Sequence, residues 1–188
     1  MGDRVHCINE GCISTDGVLI VPEGTVEIPL CLFEGNGLLK KVILPKGLKT
    51  VGPRAFSCCS NLEEIELPRS LSFIGEHAFS SCSLRDLVVP SGVKTVAPYA
   101  FSSCGRLVHI VLDEGVTAIE SHAFENCGSP DAEIKVDLPE SIVSIADDAF
   151  DRERTTSAIK PVLICAPPGS FAHQWAKEHA SDALRAWD

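Results

Sequence analysis

Basic charge is scarce in this chain: 16 lysines and arginines stand against 26 aspartates and glutamates, a formal net charge of −10. Such a surface repels a phosphate backbone, and no local basic patch offsets it, so nucleic acid is not an expected partner. Anionic membrane surfaces are disfavoured for the same reason. No apolar run reaches the length of a membrane span, so no membrane insertion is expected. The start, Met1-Gly2-Asp3-Arg4-Val5-His6, has no charged segment leading into an apolar one, and His6 stands where a myristoylation signal wants Ser or Thr. As written, the chain reads as cytosolic.

Catalytic signatures are also missing. There is no Gly-x-Ser-x-Gly elbow, no phosphate-binding loop and no dinucleotide fingerprint. The serines fill repeated positions such as Ser80-Ser81 and Ser102-Ser103 rather than standing beside a histidine with an orienting partner. Asp147-Asp148 falls in a turn, where solvated carboxylates are the default. The expectation is a protein that is not an enzyme and needs no cofactor.

What is present is a repeat. Phenylalanines fall at Phe33, Phe56, Phe79, Phe101, Phe124 and Phe150, with spacings of 23, 23, 22, 23 and 26. Five residues before each stands Ile28, Val51, Ile74, Val96, Ile119 or Ile145. Alanine directly precedes five of them: Ala55, Ala78, Ala100, Ala123 and Ala149. Eleven residues before each lies Pro22, Pro45, Pro68, Pro90 or Pro139, with Asp113 in place of proline once. Self-similarity of this kind marks an array of stacked units. The unit runs Leu-x-x-Ile-x-Leu-Pro, x-x-Leu-x-x-Ile, then x-x-x-Ala-Phe-x-x-Cys. Proline ends a short strand because it cannot donate to a continuing ladder. One unit cannot bury its own apolar side, whereas stacked units share a continuous core.

These motifs, and phrases such as Leu-Pro-Arg-Ser-Leu-Ser-Phe-Ile-Gly-Glu-His-Ala-Phe-Ser-Ser-Cys at 67–82, resemble the BspA-like, or Treponema-type, class of leucine-rich repeats. The resemblance covers roughly residues 17 to 180. It implies a curved leucine-rich-repeat solenoid with short parallel strands stacked one per ~23-residue repeat. It also implies an adhesion or interaction role, at the cell surface or secreted if the chain is a fragment. The expected organisation is one domain: an N-terminal cap over 1–16, about six repeats over 17–155, and a final strand and capping helix over 156–188. In the helix Ser170 is the expected N-cap. Phe171, Trp175, Ala176, Ala180, Leu184 and Trp187 fall on one stripe of it.

Nine cysteines would suit a disulfide scaffold, but the number is odd and a chain that is 45% hydrophobic needs no staples. Cys59, Cys82, Cys104 and Cys127 each follow a ladder phenylalanine by three residues. Four zinc ligands must converge, and a column instead spreads its sulfurs along a line, so buried free thiols are expected. Cys58 falls one place earlier and is expected to be the more exposed. His6, Cys7 and Cys12 match no standard metal spacing. His77 and His122 share a repeat position, with Tyr99 on the rung between them, ~10 Å apart by rung spacing.

The concave strand face is the expected contact surface. Two residues before the proline position stand Ile20, Ile43, Glu66, Val88, Val111 and Asp137. Four before it stand Val18, Lys41, Glu64, Asp86, His109 and Lys135. Both rows project away from the core residues between them. One reading makes them ordinary strand surface, with Lys41 and Glu64 a cross-rung charge pair. The other makes Ile43, Glu64, Glu66, Asp86, Val88, His109 and Val111 the contact site for a protein or other macromolecular partner, on a monomeric module. An architectural spacer or self-assembling subunit is the alternative role.

Overall fold

The computed structural model describes residues 12–129, 132–152, 161–179 and 184–187. Each repeat makes one circuit of a solenoid with two strands and a turn, the strands being numbered along the chain. The Leu-x-x-Ile-x-Leu-Pro segments supply β1 (Val18–Ile20), β3 (Lys41–Ile43), β5 (Glu64–Ile65), β7 (Asp86–Val89), β9 (His109–Leu112) and β11 (Ile134–Asp137). They continue into β13 (Val162–Cys165) and β14 (Leu184–Trp187). A second ladder, which the motif did not announce, takes two residues from each repeat: β2 (Glu27–Ile28), β4 (Thr50–Val51), β6 (Phe73–Ile74), β8 (Thr95–Val96), β10 (Ala118–Ile119) and β12 (Ser144–Ile145). Except from β5 to β7 and from β6 to β8, neighbouring rungs in both ladders pair in parallel, in the register of the repeat: Val18 lies opposite Lys41 and Ala118 opposite Ser144.

The third side is the turn that carries Ala-Phe-x-x-Cys. Its six phenylalanines are buried and stack face to face, with centroids 5.4 to 5.6 Å apart and planes within 11° of parallel. The cysteine three residues on is buried as expected, and its thiol also has polar work. Cys59, Cys82, Cys104 and Cys127 each donate from Sγ to the carbonyl of the phenylalanine one repeat back, at 3.1 to 3.2 Å. A small side chain that is apolar yet carries a weak donor suits that position.

Two columns in these turns hold non-glycine residues with positive φ. Cys31, Arg54, His77, Tyr99 and His122 stand two residues before the phenylalanine, and Cys58, Ser81, Ser103 and Asn126 two after it. The left-handed region costs an L-residue ~1–2 kcal/mol. Arg54 donates to the Glu76 carbonyl at 2.9 Å, Cys58 to Ser80 at 2.7 Å and Ser81 to Ser102 at 2.8 Å, so these strained residues gain a bond to the next repeat.

The array closes on helix α1 (Phe171–Glu178), where the Ser170 side chain accepts from the His173 amide at 3.2 Å. Trp175 sits 6.1 Å from the Phe150 ring and extends the aromatic column into the cap. The helix is shorter than its stripe suggested. Leu184 and Trp187 belong to β14, which pairs with β13, and Phe171 is 42% exposed. A helical period over 171–187 does not by itself separate one long helix from a helix followed by a strand. Ala180 lies outside the described residues, as do His6 and Cys7 of the N-terminal metal possibility.

Both ladders are interrupted at one place. In the first, β1, β3 and β5 form one sheet and β7, β9, β11, β13 and β14 another; in the second, β2-β4-β6 is separate from β8-β10-β12. The interruption lies in the short step of the repeat, 22 residues from Phe79 to Phe101. Cys82 reaches Leu84 across Ser83 alone, where Cys59 reaches Leu62 across Ser60 and Asn61. The turn side does not register the loss: the Phe79 and Phe101 rings remain 5.4 Å apart.

Candidate interaction surface

Strand alternation sets the two rows named above on the outside of the first ladder. Val42, Leu87, Ile110 and Val136 point into the core between them. Ile43 is 44% exposed and Val88 51%, while Glu64, Glu66 and Asp86 are exposed. His109 and Val111 are half-buried. Seven residues therefore share a face, but not one continuous sheet. Ile43 and Glu64 lie on the three-stranded sheet, with Ile43 beside Ile20 and Glu64 beside Lys41. Asp86, Val88, His109 and Val111 lie on the five-stranded sheet, with Asp86 opposite His109 and Val88 opposite Val111. Glu66 follows β5 at the interruption.

The charges on this face are partly spent on each other. Lys41 Nζ meets Glu64 Oε2 at 2.6 Å, and Arg106 pairs with Glu63. His109 Nε2 lies 2.7 Å from Asp137 Oδ2, and Lys135 Nζ 2.8 Å from Asp137 Oδ1. Burial pushes the Asp137 carboxyl up, but hydrogen bonds from Lys135 and His109 outweigh it and hold it below its ordinary value. Cys165, next in the row, is pushed up to about 11 by burial and then by the Asp137 charge. His109 is thus held by an acid that the expected site omitted.

A second feature was not read from the motifs. A depression of about 940 Å³ lies over the interruption. Lys46 and Arg69 line it beyond the C-terminal ends of β3 and β5, Glu63 and Arg85 at the strand starts, and Glu66 and Asp86 between. The signal for it was the 22-residue step.

Elsewhere, His77, Tyr99 and His122 form a stacked column with centroids 4.6 and 4.8 Å apart, in line with the expected rung spacing. Asp148 is held low by a hydrogen bond from Ser121 and by the neighbouring His122, while exposed Asp147 meets His179 Nε2 at 3.2 Å. Cys58 is exposed. Among the described residues no group of three His, Cys, Asp or Glu side chains is arranged to hold a metal. No helix among them is long and apolar enough to cross a membrane.

Comparison with known proteins agrees with this architecture. The model of the BspA type leucine rich repeat region matches six copies over residues 26–157. No curated protein matches the chain. Among solved structures, the chain is similar to the pneumococcal vaccine antigen PcpA, with TM-score 0.72 and 24% identity over 92% of this chain and 41% of that one. The chain thus spans less than half of PcpA, and at that identity the likeness speaks for the fold. It is also similar to a leucine-rich repeat protein of T. pallidum, with TM-score 0.52 and 27% identity over 71% of this chain and 70% of that one. With matched repeats over more than half of its length, stacked in register around one core, the chain belongs to the BspA type leucine-rich repeat family.

Proposed function

We propose that this chain is a non-enzymatic interaction module that binds a protein partner across the outward face of the first strand ladder. The observation that carries the reading is the exposure of Ile43 and Val88 on that face, in a frame of charge. Apolar side chains at the centre of a charged rim are what a protein interface uses. Membership of the repeat family supports the same role, and no cofactor is needed for it. The module acts as a monomer, so its sedimentation should not change with concentration.

The test is a charge placed in the face. Val88→Lys projects from β7 without entering the core, so thermal unfolding should match wild type within about 0.5 kcal/mol. Binding to a partner isolated with the wild-type chain should fall at least tenfold, as for an unpaired charge buried at an interface. Thr95→Lys, on the exposed side of β8, is the control. Binding that survives Val88→Lys and is lost in Thr95→Lys would move the site to the other ladder.

A further inference from the structure

We propose that the depression over the interrupted rungs seats an extended peptide segment of mixed charge, carried by a protein partner. This rests on the interaction-module reading and narrows it from a face to one groove.

Three independent features meet there. The first is the sheet itself. A repeat one residue short brings β5 and β7 out of pairing, and strand edges left open in this way are templates for an extended chain.

The second is in the main chain. After β1 and β11 the residue that follows the strand donates to the next rung: Val21 N to the Ile43 carbonyl at 3.0 Å, Leu138 N to Cys165 at 2.8 Å. The corresponding amides of Leu44 and Leu67, both lining the depression, have no backbone acceptor among the described residues. Such donors call for an acceptor, and a peptide carbonyl supplies one.

The third is charge. Lys41–Glu64 and Arg106–Glu63 are already paired. Lys46, Arg69 and Arg85 on one hand, and Glu66 and Asp86 on the other, line the same depression with no ion-pair partner among the described residues. An acidic side chain set against Lys46 and Arg69, beside a basic one set against Glu66 and Asp86, satisfies both groups. A peptide of one sign leaves one group facing a like charge.

The probe is a phage-displayed library of random linear peptides, panned on the whole chain. The expected winners combine an acidic and a basic residue, and lose at least about tenfold in affinity to Arg69→Glu or Asp86→Lys. A peptide with its two charges exchanged should bind the Glu66→Lys/Arg69→Glu double variant better than wild type, a rescue that general damage to the fold cannot produce. An asparagine inserted between Ser83 and Leu84 restores the regular step and should abolish binding, with urea melts confirming that the variant folds.

Failure to enrich any mixed-charge peptide would overturn the proposal. So would affinity that survives the Arg69 and Asp86 variants but is lost in Val111→Lys, an outcome that keeps the interaction face and rejects the groove. Concentration-dependent dimers that Asp86→Lys dissolves would show the seat taken by a second copy, also against the proposal.

Discussion

The turn side and the strand side of this solenoid meet the same defect and respond differently. Between Phe79 and Phe101 one residue is missing, yet the rings stack as in every other pair and Ser81 still donates to Ser102 at 2.8 Å. On the strand side both ladders open. The turn side fastens each rung with stacked rings, a thiol-to-carbonyl bond and inter-turn amide bonds. The second ladder offers two residues per rung and has few bonds to lose. Register in this array is therefore held by the turns, and the strands yield where the two disagree.

The largest expected effect tests that division directly. Phe79→Ala or Phe101→Ala opens a cavity in the stack and should cost ~3–5 kcal/mol. Phe73, on a strand of the second ladder and 50% exposed, should cost far less when changed to alanine. Urea melts of the three variants decide it, and similar losses at Phe73 and Phe79 would erase the distinction.

Next in size is a pair of equivalent glycines after the first-ladder strands. A Cβ on Gly92, just beyond the interruption, would lie 2.2 Å from the Leu71 carbonyl oxygen, while one on Gly47 would meet nothing within 4 Å. Gly92→Ala should therefore destabilise by ~1–3 kcal/mol through overpacking. Gly47→Ala should be neutral or stabilise by up to about 1 kcal/mol, by restricting the unfolded chain. Equal melting midpoints would mean that the rungs are no tighter at the interruption than before it.

The smallest effect at neutral pH belongs to the thiol column. Burial, above all, raises Cys59 and Cys104 from the ordinary 9.0 to about 12, and Cys82 and Cys127 are raised as well. The folded state then holds these protons more tightly than the unfolded state. The associated stability is fully present below pH 9.0 and is lost as pH rises towards about 12. Melts at pH 7 and pH 10 should show that loss, with a shallower slope in Cys104→Ala. A stability that climbs over this range would contradict it. At pH 8, a thiol reagent should modify exposed Cys58 well before Cys104.

Much of this could be read from the residues, because the repeat places each side chain in a fixed environment. A phenylalanine column at near-constant spacing has to be a shared core, since no single unit can bury it. The same logic identified Cys104 as buried, Cys58 as exposed and Lys41–Glu64 as a pair. The second ladder was harder to recognise as strand: its column from Ile28 to Ile145 was legible, but two residues per rung show no alternation. The strand at Leu184–Trp187 was hidden by an apolar spacing that a helix also satisfies.

The sequence by itself determined the solenoid, its register and the outward rows of the strand face, since all three follow from periodicity and from the alternation of strand side chains. It also contained the missing residue between Cys82 and Leu84, but not the consequence. Whether a lost residue is absorbed in the turns or in the strands depends on the relative strength of contacts between rungs, and those exist only once the rungs are stacked. Tertiary packing held the Phe79–Phe101 stack, opened both sheets, left Leu44 and Leu67 without backbone acceptors, and drew His109 onto Asp137 instead of leaving it free on the face.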